Sequence, residues 1–383
     1  MGNLKITDIK TYIVPHHPAD KGKFNKSKAY IFVKIETNEG IYGWGESYVL
    51  AYRDRSTVMH IEELKSHLIG ADPTKIKSFQ NWVYKHFAET RPGIDLYCAV
   101  SGIEIAMWDI TGKKYGLPVH ALLGGKIRDK IRVYANISNR FNSLEHEFEI
   151  AREMLAQGYT AIKIYPFLWG HDEDGIVEHI AKFREVIGEK TDLMLDVWRN
   201  EDPAKVLRVA KRIEKYHPCW FEEPMAPDNL DVARELNSRT SLPIVIGEAM
   251  FGKRWFNEAF KHNVAEFANP DVAVVGGIQE LLDIATIADV NYIKIGPHNC
   301  NSPTVATNAS VHAASVMPNF YMLETFPSYR EMGARISNNM LAIENGYITV
   351  PDTPGLGIDV NEEFLASIPY KESTNMNNNT KTI

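Results

Sequence analysis

Apolar and polar positions follow two different periods in the first third of the chain. The segments TDIKTYIV and KAYIFVKIETNEGIYGWGE alternate apolar with polar residues around a turn at Asn38-Glu39-Gly40, which predicts antiparallel strands. From about Val58 the apolar spacing becomes helical, most clearly in AVSGIEIAMWDITGKKYG, and it ends at Gly116-Leu117-Pro118. We therefore expect an antiparallel sheet followed by helices.

A different rhythm begins at Ile131, where short apolar runs alternate with amphipathic helical stretches. One such helix is predicted in DPAKVLRVAKRIEKYH, with Asp202 as its N-cap and Pro203 at its first position. The eight runs are VYANI, AIKIY, LMLDV, CWFEEP, PIVIGE, FANPDV, YIKIGPH and FYMLE. Buried strands alternating with helices indicate a parallel α/β sheet, and eight of them favour closure into a TIM-type barrel, which leaves no edge strand.

Composition narrows the class of function. The 383 residues are 44% hydrophobic and 24% charged, with a net charge of -7, which disfavours nucleic-acid binding. No run of 18 apolar residues and no signal peptide is present, so no membrane role is expected. Three widely spaced cysteines favour reduced thiols in a cytoplasmic protein. Small-molecule chemistry is the remaining expectation.

Three carboxylates follow successive apolar runs at equal intervals. Asp196, Glu222 and Glu248 are each 26 residues apart, which corresponds to one strand-helix unit. Because active sites of parallel barrels lie at the C-terminal strand ends, these side chains are expected to converge. Three oxygen ligands with open positions suit Mg²⁺ better than zinc. The alternative is that each acid caps a helix or pairs with a nearby lysine.

Two later runs end in groups suited to proton transfer. Asp271 closes NPD and His298 closes GPH, on strands predicted to be neighbours. An aspartate that accepts a hydrogen bond from one imidazole nitrogen fixes the tautomer and leaves the other nitrogen free to move a proton. The alternative is that His298 only makes structural hydrogen bonds at the rim of the barrel.

The second and eighth runs add three further candidates. Lys163 and Tyr165 share one face of a strand, so both are expected to point into the site. Lys163 and a cation nearby would lower the pKa of the Tyr165 phenol and make it a possible base, although a strand tyrosine is often only packing. Glu324, which ends YMLE, is expected either to contact substrate as a neutral acid or to cap the next helix.

These residues together resemble the enolase superfamily, in its mandelate racemase-like branch. The resemblance covers Ile6 to about Val360 and rests on LMLDV, WFEEP, VIGE, NPDV, GPH, GWGE and GYITVPDTPGLGI. It implies Mg²⁺ and a modified (β/α)7β barrel at residues 126–325. It also implies an α+β capping domain at 1–125, rejoined by 326–383, with a polar tail from about 371.

The resemblance further implies removal of the proton beside a substrate carboxylate, giving an enediolate stabilised by the metal. Such enzymes commonly carry a second lysine where this chain has Tyr165, and a phenol is normally a poorer base near neutral pH. We therefore expect dehydration of an acid sugar to a 2-keto-3-deoxy acid, with His298 as principal catalyst. The alternatives are a racemase, epimerase or cycloisomerase acting on a sugar acid, lactone or anhydro-sugar acid, and a non-catalytic metal- and ligand-binding homologue.

Polar residues of two predicted capping loops, together with one after the third strand, suggest an anionic, hydroxyl-rich substrate such as an aldonate or aldarate. The candidate substrate-binding residues are His16, Lys23, Tyr48, Arg53 and Arg199. The alternative is that the basic residues of the first capping loop are simply exposed to solvent and bind no substrate. The expected partners are a small-molecule carboxylate and further copies of the chain, since the resemblance implies a symmetric homo-oligomer.

Overall fold

The protein combines a small antiparallel sheet and its helices with a parallel eight-stranded barrel. The structure, a computed structural model, describes residues 4–15, 29–50, 53–137, 143–199, 201–300, 302 and 304–368. Among these residues, no helix is both long enough and apolar enough to cross a membrane.

The N-terminal part confirms the predicted antiparallel sheet and helices. Its strands are paired in the order β1 (Ile6–Pro15), β2 (Ala29–Thr37) and β3 (Tyr42–Ser47). The helices that follow are α1 (Asp54–Leu68), α2 (Ile76–Val83), α3 (Ile94–Tyr115) and α4 (Val119–Leu122), with a π-helical turn at Tyr84–Ala88. Helix α3 is buried on nearly all sides because it lies between this sheet and the barrel helices.

The eight apolar runs form eight parallel strands, as predicted, and seven helices connect them. The strands are β4 (Lys130–Asn136), β5 (Ala161–Ile164), β6 (Asp192–Asp196), β7 (Trp220–Glu222), β8 (Ile244–Ile246), β9 (Phe267–Ala268), β10 (Lys294–Ile295) and β11 (Leu323–Thr325). The helices are α5 (Leu144–Ala156), α6 (Glu173–Ile187), α7 (Pro203–Ile213), α8 (Leu230–Ser238), α9 (Gly252–Lys261), α10 (Ile278–Val290) and α11 (Val305–Val316). Strand β11 pairs with β4, and Ile295 bridges to Phe320, so the sheet closes.

The C-terminal segment contacts both the barrel and the antiparallel sheet. It contains α12 (Arg330–Ile336), β12 (Tyr347–Thr349), which pairs antiparallel with β4, and α13 (Glu362–Ser367). From α13, Glu362 accepts hydrogen bonds from Tyr12 and from Lys34, the latter at 2.7 Å. The segment thus returns to the first sheet, while domain boundaries near 125 and 325 stay a prediction.

The GWGE segment brings β3 unusually close to α3. A Cβ atom on Gly45 would lie 1.7 Å from the carbonyl oxygen of Gly102, and one on Gly43 would lie 2.2 Å from that of Ala106. Because strand side chains alternate, Trp44 and Glu46 point the other way, toward the barrel. Glycine at positions 43 and 45 therefore permits the contact between β3 and α3.

The end of β3 attaches the antiparallel sheet to the C-terminal ends of the barrel strands. Glu46 accepts hydrogen bonds of 2.9 Å from the Ser302 hydroxyl and from the Ala306 backbone N–H. The Tyr48 backbone N–H donates to the Ala273 carbonyl at 3.1 Å. These contacts hold Tyr48 over the barrel opening.

The substitution Gly45→Ala should destabilise the protein, because the added methyl group meets backbone atoms that cannot move independently of α3. We expect a loss of about 3 kcal/mol, at the upper end of what overpacking usually costs, measured by urea unfolding. The matched control is Gly93→Ala, whose Cβ would meet nothing within 4 Å. Equal effects of the two substitutions would contradict the role of close packing at Gly45.

Candidate active site

The three carboxylates predicted at strand ends lie together. Asp196 ends β6, Glu222 ends β7, and Glu248 follows β8 by two residues. One carboxylate oxygen from each lies within 4.8 Å of the others, and all three side chains are buried or nearly so. The convergence expected from parallel strand ends is therefore present.

The electrostatics of this trio fit a divalent cation. Burial and the charge of Glu222 raise the pKa of Asp196 well above its usual range. Burial likewise raises the pKa of Glu222, and Glu248 adds to this effect. The buried Asp196 Oδ2 accepts no hydrogen bond from the described residues. An all-oxygen donor set of this kind suits a hard cation such as Mg²⁺.

Lys163 lies beside the trio and is completely buried. Its ammonium nitrogen is 2.7 Å from Glu222 Oε2, 2.8 Å from Glu324 Oε1 and 3.3 Å from Asp196 Oδ2. Burial would lower the pKa of Lys163, but Glu222 and Glu324 raise it well above its usual range. Lys163 is therefore a fixed positive charge among three carboxylates.

His298 and Asp271 form the predicted pair on the opposite side of the trio. The residues are bridged through their backbones, and His298 Nδ1 lies 2.7 Å from Asp271 Oδ2. His298 Nε2 faces Glu248 Oε2 at 3.0 Å and Glu324 Oε2 at 3.6 Å. Burial would lower the pKa of His298, but Glu324 and Asp271 raise it well above its usual range.

Glu324 joins the two halves of the site, and its neighbours favour its charged form. Burial would raise its pKa, but Lys163 and His298 lower it below its ordinary value. Its Oε2 also accepts a hydrogen bond of 2.9 Å from the Asn299 backbone N–H. The lowered pKa does not favour the neutral acid expected from the sequence, and a contact between Glu324 and substrate stays a prediction.

Tyr165 lies next to Lys163, but the expected lowering of its pKa is not found. Burial raises the pKa of the phenol well above its usual range; Lys163 opposes this rise, and Asp196 and Glu324 add to it. Tyr165 therefore retains its proton in this structure.

Arg199, predicted to bind substrate, is engaged by carboxylates of the site. Its guanidinium donates to Glu248 Oε1 at 2.6 Å and lies 3.1 Å from Glu223 Oε2. Trp198, Arg199 and Glu223 all have positive φ angles, of 55°, 57° and 42°. Such strained backbone is typical of functional sites. Arg199 is therefore a counterion of Glu248, and a contact between Arg199 and substrate stays a prediction.

The capping residues predicted to bind substrate are only partly described. The Tyr48 ring lies 6.2 Å from the His298 ring, which places it at the site. Arg53 pairs with Asp95 at 2.7 Å and is about half exposed, so its contact with substrate stays a prediction. His16 and Lys23 lie outside the described residues.

Two buried asparagines that contact the site were not identified from the sequence. Asn136 Nδ2 donates to the Tyr165 hydroxyl at 2.7 Å and to Glu324 Oε1 at 2.8 Å. Asn269 Nδ2 donates to Glu222 Oε1 at 2.8 Å, and its Oδ1 accepts from the Glu248 backbone N–H at 3.1 Å. Both follow the rule used for the acids, since each is the polar residue that closes an apolar run.

Comparison with protein families agrees with this architecture. Residues 3–124 match the model of the mandelate racemase / muconate lactonizing enzyme N-terminal domain. Residues 148–364 match the model described as enolase C-terminal domain-like. The two matches together span most of the chain.

Similar proteins include enzymes named for acid-sugar dehydration and for cycloisomerisation. D-galactonate dehydratase of Ralstonia pickettii is 30% identical over 378 residues, covering 94% of each chain. D-galactarolactone cycloisomerase of Agrobacterium fabrum is 29% identical, covering 94% of this chain and 98% of its own. The crystal structure of the 3,6-anhydro-D-galactonate cycloisomerase from Zobellia galactanivorans superposes with a TM-score of 0.87 at 29% identity, covering 96% of this chain and 100% of its own. The chain therefore belongs to the mandelate racemase/muconate lactonizing enzyme family of the enolase superfamily.

Proposed function

We propose that the protein is a Mg²⁺-dependent acid-sugar dehydratase, which converts an aldonate or aldarate to a 2-keto-3-deoxy acid. The observation that carries the proposal is the position of two proton-transfer groups around one carboxylate trio. His298 lies beside Glu248, and Tyr165 lies beside Lys163 on the other side. Dehydration needs one group to remove the α-proton and another to protonate the departing hydroxyl.

Asp196, Glu222 and Glu248 are the residues that would hold the metal. When bound, Mg²⁺ supplies electrostatic stabilisation for the negative charge that develops on the substrate carboxylate as the α-proton leaves. Lys163 adds a fixed positive charge at the same place, since it is held by Glu222 and Glu324.

His298 is the proposed acceptor of the α-proton. It would act in its neutral form, which a cation held by Glu248 would favour by offsetting part of the carboxylate charge that raises the pKa of His298. Asp271 holds its Nδ1 and thereby fixes the orientation of the ring, so that Nε2 faces the trio. The family chemistry of α-proton abstraction requires a base at such a position.

The second proton-transfer position favours dehydration over racemisation. Racemisation by two bases needs a second group that readily gives up and takes back a proton near neutral pH. Burial raises the pKa of Tyr165 instead, so the phenol is a poor base here. A phenol that keeps its proton until the β-hydroxyl departs can instead act as the acid that dehydration needs.

Cycloisomerisation is the second candidate, because it begins with the same proton removal and enediolate. The cycloisomerases of Agrobacterium fabrum and Zobellia galactanivorans support it, since each is 29% identical to this chain over nearly its full length. The two reactions differ in whether water is lost.

Proton NMR in D₂O should distinguish these reactions. Purified protein with Mg²⁺ is incubated with a library of aldonates, aldarates, their lactones and anhydro-sugar acids. We expect at least one aldonate or aldarate to give a 2-keto-3-deoxy product. A rearranged product without loss of water would establish the cycloisomerase instead, and neither product nor α-deuterium exchange with any compound would refute both.

The substitution His298→Asn should lower kcat by about 100-fold to 10,000-fold, the range typical of losing a general acid or base. Mg²⁺ binding should persist, because His298 is not part of the trio, and calorimetry measures it directly. His217→Asn is a suitable control, since His217 is exposed and its φ of 49° is tolerated by asparagine. Full activity of His298→Asn would remove His298 from the mechanism.

A further inference from the structure

We infer that Glu104, a buried carboxylate of helix α3, is a positioning residue for the pair formed by Asp271 and His298. It holds the start of helix α10, which follows the loop that carries Asp271, against the N-terminal part of the chain. The inference rests on the proposed function, in which His298 accepts the α-proton. Glu104 acts on that step only through Asp271.

The barrel helices differ in how the backbone N–H groups of their first turns are satisfied. Helices α5 to α8 each begin after a residue whose own side chain accepts a hydrogen bond from the first turn. These residues are Ser143, Asp172, Asp202 and Asn229. Helices α10 and α11 begin after Gly277 and Thr304, and neither residue makes such a bond. The first N–H groups of α10 and α11 therefore need an acceptor from another element.

Both acceptors come from the N-terminal part of the chain. Glu104 Oε2 accepts a hydrogen bond from the Ile278 backbone N–H at 2.8 Å, and its Oε1 accepts one from the Gln279 backbone N–H at 2.9 Å. Glu46, at the end of β3, accepts one from the Ala306 backbone N–H at 2.9 Å. Helices α10 and α11 are also the helices that follow the two loops of the proton-transfer pair. The N-terminal part therefore holds the chain directly after each member of that pair.

Glu104 is completely buried and is surrounded by donors. Besides the two backbone N–H groups, the Trp108 indole N–H donates to Glu104 Oε1 at 2.8 Å. A Cβ atom on Gly277 would lie 2.1 Å from Glu104 Oε2, so the chain can pass the carboxylate only because this residue is glycine. Burial raises the pKa of Glu104 to about 7, so the carboxylate is largely ionised near pH 8. Glu104 thus supplies the cap that a glycine cannot.

The loop between Asp271 and α10 is tightly bonded at both of its ends. At its start, the Val275 backbone N–H donates to the Asp271 carbonyl at 2.9 Å, and the Ala273 backbone N–H donates to Asp271 Oδ1 at 2.8 Å. At its end, the Gly276 backbone N–H donates to the hydroxyl of Ser101, also on α3, at 2.9 Å. A displacement of the start of α10 therefore moves the Asp271 carboxylate.

His298 is held by contacts that do not involve α10. The next residue, Asn299, donates from Nδ2 to the Thr307 hydroxyl in α11 at 2.8 Å. Loss of the Glu104 contact is therefore expected to move Asp271 relative to His298. The bond between His298 Nδ1 and Asp271 Oδ2 is 2.7 Å long, and such bonds weaken steeply when they are misaligned. A misplacement of about 1 Å caused far from the chemistry can lower a rate by about 100-fold.

The substitution Glu104→Gln keeps the shape of the side chain but presents an NH₂ group to one of the two backbone N–H donors of α10. Near pH 8, with Mg²⁺ and a sugar acid that the wild type converts, we expect kcat to fall by about 10-fold to 100-fold. KM and the Mg²⁺ affinity should stay as in the wild type, because the trio and the substrate position are not touched. Steady-state kinetics and calorimetry measure these quantities.

The matched control is Glu280→Gln. Glu280 lies in the first turn of α10, and its Oε1 accepts a hydrogen bond from the Lys253 backbone N–H at 2.8 Å, so it links α10 to α9. The same substitution there should leave kcat near the wild-type value. An equal loss of kcat in the two variants would overturn the inference, because it would reflect only a general weakening around α10.

A second readout needs no turnover. In protein labelled with ¹⁵N-histidine, the His298 Nδ1 proton that Asp271 accepts should resonate far downfield, and its absence in His298→Asn identifies it. Glu104→Gln should shift or abolish this resonance, whereas Glu280→Gln should preserve it. Thermal unfolding verifies that each variant is folded. Ser101→Ala, which removes the neighbouring bond to Gly276, should shift the same resonance and replaces Glu104→Gln if that variant does not fold.

Wild-type kcat together with an unshifted resonance in folded Glu104→Gln would overturn the inference. Wild-type protein that converts no acid sugar would instead refute the dehydratase function. These failures are distinguishable, because the His298 resonance in Glu104→Gln still decides whether Glu104 positions the pair.

Discussion

A surplus of buried negative charge is the constraint on which the rest of the site depends. Among the described residues, six carboxylates meet three cations at the C-terminal strand ends. The carboxylates are Asp196, Glu222, Glu223, Glu248, Asp271 and Glu324, and the cations are Lys163, Arg199 and His298. Two like charges about 4 Å apart repel by about 4 kcal/mol at the effective dielectric constant of protein sites. A divalent cation between the carboxylates of the trio offsets this repulsion.

Each of the three cations lies beside a different set of carboxylates in the site. Lys163 balances Glu222 and Glu324, and Arg199 balances Glu248 from the outer side. Glu324 then contacts both halves, because one oxygen faces Lys163 and the other faces His298. The barrel makes this possible, since β4, β5 and β11 are neighbours and β9 adjoins β10. The site is therefore one charge network and not a set of separate pairs.

Much of the fold and of the site could be predicted from the sequence, because a polar residue that ends a buried strand can be recognised from the few apolar residues before it. Each buried strand is a short apolar run, and the residue that closes it points to the common end of the barrel. The rule located Asp196, Glu222, Asp271 and His298, and it would also have located Asn136 and Asn269. The direction of the pKa of Tyr165 was not predictable, because it depends chiefly on how deeply the folded chain buries the phenol, and this burial outweighs the effect of Lys163. The pairing of Arg199 and the close packing at Gly45 likewise depend on contacts between separate elements.

Calorimetric titration of the wild-type chain with Mg²⁺ tests the charge account most directly. The account predicts one ion bound per chain and a rise in the thermal unfolding temperature with the ion present. Asp196→Asn should weaken binding by more than the roughly tenfold to 100-fold cost of losing an outer-shell partner. Asp192→Asn at the opposite end of β6, where Asp192 pairs with Arg132, should bind as wild type does. Absence of binding by the wild type at millimolar Mg²⁺, or equal binding by both variants, would contradict the account.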